Sequence, residues 1–143
     1  MNAAKASYVF DSVLPSVHKA EQLALETATG AGFDEEVCGR IGIAVREAMA
    51  NAVLHGNRSD PAKRVTFSLE RTRERLTIAV RDEGAGMDPA AVADPLDPAN
   101  LLKGSGRGIF LIRAYMDQVE FPDVSSGTEI CMTKFLSKPI RHG

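Results

Sequence analysis

Cysteine is scarce in this chain. Only Cys38 and Cys131 occur in 143 residues, and their separation matches neither a metal-ligand spacing nor a disulfide framework. One falls in a helical pattern and the other in a strand pattern, so both read as small buried hydrophobes in a reduced, intracellular compartment. Positive charge is not in excess either. Seventeen Lys and Arg face nineteen Asp and Glu, a net charge of -2, and no long block of one sign occurs. That argues against direct nucleic-acid binding and against a charged tail. No apolar run approaches the length of about 20 residues that spans a bilayer. Residues 1–7 lack the apolar stretch of a secretory signal. The expectation is a soluble, cytoplasmic protein with no membrane partner. Internal repeats, low-complexity stretches and any local Ser-His-Asp or Cys-His set are also missing. What is present is a hydrophobic fraction of 44%, enough to build a core, and a length that fits one domain over residues 1–143.

Periodicity predicts the elements. Residues 7–14, with Tyr8, Val9, Phe10 and Val13, read as an edge strand stopped by Pro15. Ser16 looks like an N-cap for a helix over 17–28, in which Val17, Ala20, Leu23, Ala24 and Ala28 recur at helical spacing and Gly30 and Gly32 end the run. Asp34 is a second N-cap candidate, with Glu35 and Glu36 in a first turn where the helix dipole favours acids. Val37, Ile41, Ala44, Val45, Ala48, Ala52 and Val53 then form one apolar stripe, carrying this helix to about His55 and a stop at Gly56. Residues 64–70 and 75–81 alternate as a hairpin. Residues 82–88 are a glycine-containing turn. Residues 89–103, with three prolines, are a mobile connection with at most a helical turn. A helix over 108–116 and a final hairpin of 118–121 and 128–135 complete the chain. Helices and hairpins without a strand-helix-strand repeat argue for an α+β two-layer sandwich, one mixed and mostly antiparallel sheet with helices on one face.

Three constellations carry chemistry. Glu47, Asn51 and His55 lie four apart, one above the other on a helix at the edge of the apolar stripe. In isolation this is a polar helix edge. As a site, Asn51 is an oxygen ligand for magnesium beside Glu47 as a general base for phosphoryl transfer. Asp82-Glu83-Gly84-Ala85-Gly86-Met87-Asp88 ends a strand. It reads as a plain turn, or as glycines admitting a flat ligand while Asp82 accepts a hydrogen bond from an exocyclic amine such as that of adenine. Gly104-Ser105-Gly106-Arg107-Gly108 runs into a helix. It reads as a flexible linker, or as a backbone that wraps phosphate at a helix start, with Lys103 and Arg107 adding charge. It is neither a dinucleotide fingerprint nor a Walker A loop.

The order of these pieces between residues 47 and 108, followed by Gly127-Thr128 opening the last strand, resembles the N-box, G1-box and G2-box of the GHKL ATP-binding superfamily. Within it the chain is most similar to the bacterial anti-sigma factor serine/threonine kinases. The resemblance implies the GHKL or Bergerat fold, with ATP and Mg2+ as cofactors. It implies Asp82 on the adenine amine, Gly84, Gly86 and Met87 lining the base, and Thr128 supporting the adenine side through its hydroxyl. Asn51 would hold magnesium, and Lys103, Gly104, Ser105, Gly106, Arg107 and Gly108 would cradle the phosphates beneath a lid from residues 89–103. Glu47 would take the proton of a substrate serine or threonine. It further implies a small anti-anti-sigma protein as substrate, a sigma factor as second partner, and a homodimer. Two alternatives share these motifs: a non-catalytic adaptor switched by nucleotide, and an ATPase in which Glu47 activates water. A histidine kinase fits less well, because no separate dimerisation helix with a phosphoacceptor His is seen.

The remaining polar and aromatic residues take plainer expectations. His18 is solvated, His55 caps or packs its helix end, and Arg46 is a surface residue or an ion-pair partner. Tyr8, Phe10, Phe33, Phe67, Phe110 and Phe121 pack the core or the sheet.

Overall fold

The computed structural model describes residues 4–84 and 105–136. Five strands form one sheet: β1 (Ala4–Asp11), β2 (Arg64–Arg71), β3 (Arg75–Arg81), β4 (Gln118–Glu120) and β5 (Glu129–Phe135). Their spatial order is β1-β2-β3-β5-β4, and every pairing among the described residues is antiparallel. The mostly antiparallel sheet that the sequence predicts is thus antiparallel throughout the described residues. β1 is an edge strand, as its sequence suggests. The last hairpin folds back so that β5, not β4, lies against β3.

Alternation along each strand sends one set of side chains to the helices. Val65, Phe67 and Leu69 of β2 and Leu76, Ile78 and Val80 of β3 are buried. Tyr8 and Phe10 stand opposite Phe67 and Val65 in the register, and the three rings lie with centroids 6.1–6.3 Å apart. The other face carries Lys5, Ser7, Thr66, Ser68, Glu70, Thr77 and Arg81 and stays open. Cys131 belongs to that face and is half-buried, because it alternates with the buried Ile130 and Met132. Only Cys38 fits the expectation of a fully buried thiol.

Three helices cover the apolar face: α1 (Leu14–Ala31), α2 (Glu35–Ala50) and α3 (Ser105–Tyr115). α1 starts earlier than its sequence suggests. Pro15 does not merely stop a strand; it sits in the first turn of α1, where its fixed φ suits a helix and its missing N–H costs nothing. Ser16 is consequently inside the helix and buried, and Val13 occupies the cap without a side-chain bond. At the other end Gly30 is helical, and Gly32, at φ 102°, is the residue that closes α1. Asp34 caps α2 as expected, its Oδ1 accepting from the Val37 N–H at 2.8 Å.

α2 lies between α1 and α3 and over the sheet, so it is buried over a wider arc than one stripe. Met49, outside the predicted stripe, is completely buried. Small residues let α1 and α2 approach closely. Ala20, Ala24 and Ala28 of α1 and Ala44 of α2 have no exposed surface. Phe110 does not join this core; it is 37% exposed on the outer side of α3.

Phe67→Ala, at the centre of the aromatic group and fully buried, is expected to lower unfolding stability by about 3–5 kcal/mol. Chemical denaturation followed by circular dichroism measures this.

Candidate functional site

Beyond Ala50 the helix does not stop. It widens into a π-helical turn, Asn51–Gly56, closed by a bond from the Asn57 N–H to the Ala52 carbonyl at 2.8 Å. Such turns insert a residue and often mark functional positions. The turn carries two parts of the site on one element, about one helical pitch of 5 Å apart. Asn51 opens it and faces α3. Gly56 ends it and faces Asp82.

Glu47 and Asn51 meet the same residue of α3. A methyl group placed on Gly108 would stand 3.2 Å from Glu47 Oε1 and 3.2 Å from Asn51 Nδ2. The absence of a side chain at Gly108 is what brings the start of α3 onto these two polar groups. The expectation that residues 104–108 form a loop ahead of a helix is corrected. Ser105, Gly106, Arg107 and Gly108 are the first turn of α3 itself. The helix begins early because its first four residues need no intrahelical N–H partner, so glycine there costs little. Those same free N–H groups keep the first turn suited to an anion. Arg46 lies 4.0 Å from Glu47 Oε2 and 3.8 Å from Glu21 Oε2, an ion-pair position joining α2 to α1. His55 and His18 are exposed.

Asp82 follows the end of β3 and is 6% exposed. Its Oδ1 accepts from the Gly84 N–H at 2.9 Å and the Thr128 N–H at 3.1 Å. Its own N–H donates to the Thr128 carbonyl at 2.9 Å. Thr128 thus meets Asp82 through its backbone. Burial pushes the Asp82 carboxyl above its ordinary 3.8, while the two donated N–H bonds and the charge of Lys63 pull it back. Three glycines make room for it. A methyl group on Gly56 would come within 2.0 Å of Asp82 Oδ2, and one on Gly84 within 1.9 Å of the Gly56 carbonyl. Gly127 is left-handed at φ 73° and would place a methyl group 2.0 Å from the Asp82 carbonyl. Gly86, Met87, Lys103, Gly104 and the connection over 89–103 lie outside the described residues.

Asn57, which follows the π-helical turn, is completely buried. Continuing the β2–β3 register past Thr66↔Arg81 sets Glu83 opposite Arg64. Backbone bonds would be expected between them. The Asn57 carboxamide is inserted there instead: its Nδ2 donates to the Arg64 carbonyl at 2.9 Å, and its Oδ1 accepts from the Glu83 N–H at 2.8 Å. These two backbone partners fix which way the amide points. Nδ2 also donates to Ser12 Oγ at 2.7 Å, and that hydroxyl donates to the Lys63 carbonyl at 2.8 Å. The Arg64 N–H goes to Glu83 Oε1 at 2.7 Å. Nothing local in the sequence reveals this. An Asn after a helix-ending Gly looks like any turn residue.

Gly56→Ala should destabilise the fold by about 1–3 kcal/mol, because overpacking displaces Asp82. The comparison is Gly39→Ala, within α2, where an added methyl group meets nothing within 4 Å. That change should stabilise by about 0.5–1 kcal/mol. Urea midpoints of the two variants decide the matter.

Residues 10–134 match the histidine kinase-like ATPase domain family. The anti-sigma F factor of Oceanobacillus iheyensis is 35% identical over 97 residues, 66% of this chain and 66% of that protein. The serine-protein kinase RsbW of Halalkalibacterium halodurans is 38% identical over 104 residues, 68% of this chain and 62% of that protein. RsbW of Listeria innocua is 28% identical over 117 residues, 78% of this chain and 74% of that protein. The alignments with the first two thus span just under two thirds of each relative's length. With an antiparallel sheet under three helices, and a match that runs from the end of β1 nearly to the end of β5, the chain belongs to the histidine kinase-like ATPase domain family.

Proposed function

We propose that this chain is an ATP-dependent serine/threonine protein kinase of the anti-sigma factor type. It acts as a single cytoplasmic domain over residues 1–143, phosphorylates a small anti-anti-sigma protein, sequesters a sigma factor and forms a homodimer. The observation that carries the reading is the convergence of Glu47 and Asn51 on Gly108 at the start of α3, with Asp82 buried at the neighbouring strand end. Relatives named anti-sigma factor and serine-protein kinase support the same class. No helix of the described residues is long and apolar enough to cross a membrane.

The donor set fits magnesium held mainly by phosphate. Asn51 offers a neutral oxygen beside the Glu47 carboxylate, and the described residues contain no cluster of three or more His, Cys, Asp or Glu that would cage a metal without help. Magnesium commonly takes only one or two protein oxygens and leaves the rest to phosphate and water. When bound, it supplies positive charge against the developing charge on the phosphates. Asn51 is the residue that would hold it.

The chain's own groups do the rest. Asp82 presents a carboxylate at the base end, where an exocyclic amine donates to it. The two backbone donors already on Oδ1 keep it oriented. Gly84, with Gly86 and Met87 following it in sequence, would line the purine, and Thr128 would close that side. Ser105, Gly106, Arg107 and Gly108, with Lys103 and Gly104 preceding them in sequence, would cradle the phosphates. Glu47 accepts the proton of the acceptor hydroxyl as its oxygen attacks, a role worth about 10²–10⁴ in rate. Its side chain is partly exposed, at 28%, so a hydroxyl from another protein can reach it.

Glu47→Gln keeps shape and removes the base. ATP affinity should stay within about threefold, and transfer from labelled ATP to a small anti-anti-sigma protein of the same cell should fall about a hundredfold or more. Transfer at the normal rate would reject Glu47 as base. ATP binding without transfer by the unmodified chain, to any such protein, would favour a nucleotide-switched adaptor.

Asp82→Asn separates binding from folding. Nucleotide binding, followed by calorimetry, should be lost, while stability at pH 7 should match or exceed that of the unmodified chain. The sign follows from linkage. Burial raises the folded value, so the unfolded chain binds fewer protons, and Asp82 costs stability as pH rises from 3.8 through that raised value. The cost is absent below 3.8 and complete above the raised value. Melting curves from pH 3 to 7 should therefore show the variant gaining on the unmodified chain as pH rises.

A further inference from the structure

The latch around Glu83 has a consequence for the proposed site. Glu83 sits between Asp82 and Gly84, and its side chain is exposed. Its backbone N–H and its carboxylate are nevertheless committed inward. Its N–H donates to Asn57 Oδ1 at 2.8 Å, and its Oε1 accepts from the Arg64 N–H at 2.7 Å. Asn57 closes the ring through the Arg64 carbonyl at 2.9 Å. Arg64 is itself fastened, its guanidinium 3.0 Å from Asp11 Oδ1 and donating to the Pro61 carbonyl at 3.0 Å. On the opposite side Asp82 is tied to Thr128, which precedes β5. The turn after β3 is thus held from both neighbours in the sheet, by Thr128 on one flank and by Asn57 with Arg64 on the other.

A regular ladder would do this differently. Direct backbone bonds between Glu83 and Arg64 would draw the turn against β2. The inserted carboxamide holds the strand ends apart while taking up the Glu83 N–H and the Arg64 carbonyl, and among the described residues no buried side-chain N or O lacks a partner. The spacing of the Asp82–Gly84 turn from β2 is therefore set by one amide and one carboxylate. Hydrogen bonds to a charged acceptor are the stronger kind, so the Glu83–Arg64 bond is the part of the latch a mutation can loosen from the surface without emptying the core.

We infer that Glu83, with Asn57, Ser12 and the Arg64 backbone, is a positioning unit for the Asp82–Gly84 turn that sets purine affinity and selectivity without contacting the nucleotide. This rests on the proposal that Asp82 receives the adenine amine. Glu83 would act through Asp82, so its effect belongs to the base end and not to phosphate transfer at Glu47.

The test compares Glu83→Ala, which deletes the acceptor, with Glu83→Gln, which keeps an oxygen there. Both are titrated calorimetrically with Mg-ATP and Mg-GTP beside the unmodified chain, and transfer kinetics are taken on the same samples. Glu83→Ala is expected to raise the Kd for Mg-ATP about tenfold, to raise KM far more than it changes kcat, and to narrow the preference for ATP over GTP. Glu83→Gln should restore affinity and preference to within about twofold. In the nucleotide-free protein, the Arg64 and Glu83 amides should exchange with solvent faster in Glu83→Ala than in Glu83→Gln. Ser12→Ala, which loosens Asn57 from the β1 side, should shift the purine preference in the same direction. Unchanged preference in both Glu83→Ala and Ser12→Ala overturns the inference, as does equal loss in Glu83→Ala and Glu83→Gln. Failure of the unmodified chain to bind Mg-ATP would instead sink the nucleotide-site proposal, and the amide exchange would still report whether the latch holds the turn.

Discussion

A single carboxamide stands between the ends of two strands. Asn57 is completely buried, and a buried amide left unbonded would cost about 1–3 kcal/mol for each orphaned group. Here its polar atoms reach Arg64, Glu83 and Ser12, which lie far apart in sequence. The start of β2, the turn after β3 and the junction between β1 and α1 therefore share one fixed point. The placement of Asp82 follows from it, since Asp82 and Glu83 are adjacent and each is tied to a different sheet neighbour.

The π-helical turn is what brings that amide into place. A continued α-helix would carry the residues after Ala50 round at a constant angle. The wider turn inserts one residue, and the chain leaves it with Gly56 against Asp82 and Asn57 beneath the strand ends. The same element holds Asn51 one turn back, against Gly108. α2 with its π-helical extension thus works as a ruler that spaces the acid at the strand end from the polar pair facing α3. Its central position, packed by α1 on one side and α3 on the other, makes that spacing stiff.

Close packing explains why glycine recurs around the site. Gly56, Gly84 and Gly127 each leave space that a methyl group would take from Asp82 or its neighbours, and Gly108 does the same for Glu47 and Asn51. The glycines are needed here mainly for proximity. Only Gly127 among these four also needs a left-handed backbone. Burial of the Asp82 carboxylate costs stability, and the backbone donors from Gly84 and Thr128 offset part of that cost. A buried acid that lowers stability is a common signature of a group kept for binding.

Local pattern was enough to place most elements. Alternation in β2 and β3, the Asp34 cap and the apolar repeat of α2 depend on neighbours within a turn or two of chain, and each appears where its residues put it. The motif order from Glu47 to Gly108 likewise points to the family, since it is a property of the chain alone. Other features were not legible. Pro15 fits a strand stop or a first helical turn equally well, and only the packing of α1 decides between them. Ser105 to Gly108 could be loop or helix, because terminal residues of a helix lack the bonds that define it. Cys131 and Phe110 have apolar neighbours in sequence but face away from the core. Asn57, Ser12 and Glu83 look like ordinary turn and surface residues until the β2–β3 register sets Glu83 opposite Arg64. Sequence alone determined which residues carry oxygen, charge and flexibility, since those are properties of single side chains. Tertiary structure alone decided which of them meet, because a hydrogen bond between residues 45 positions apart exists only once the chain has folded around it.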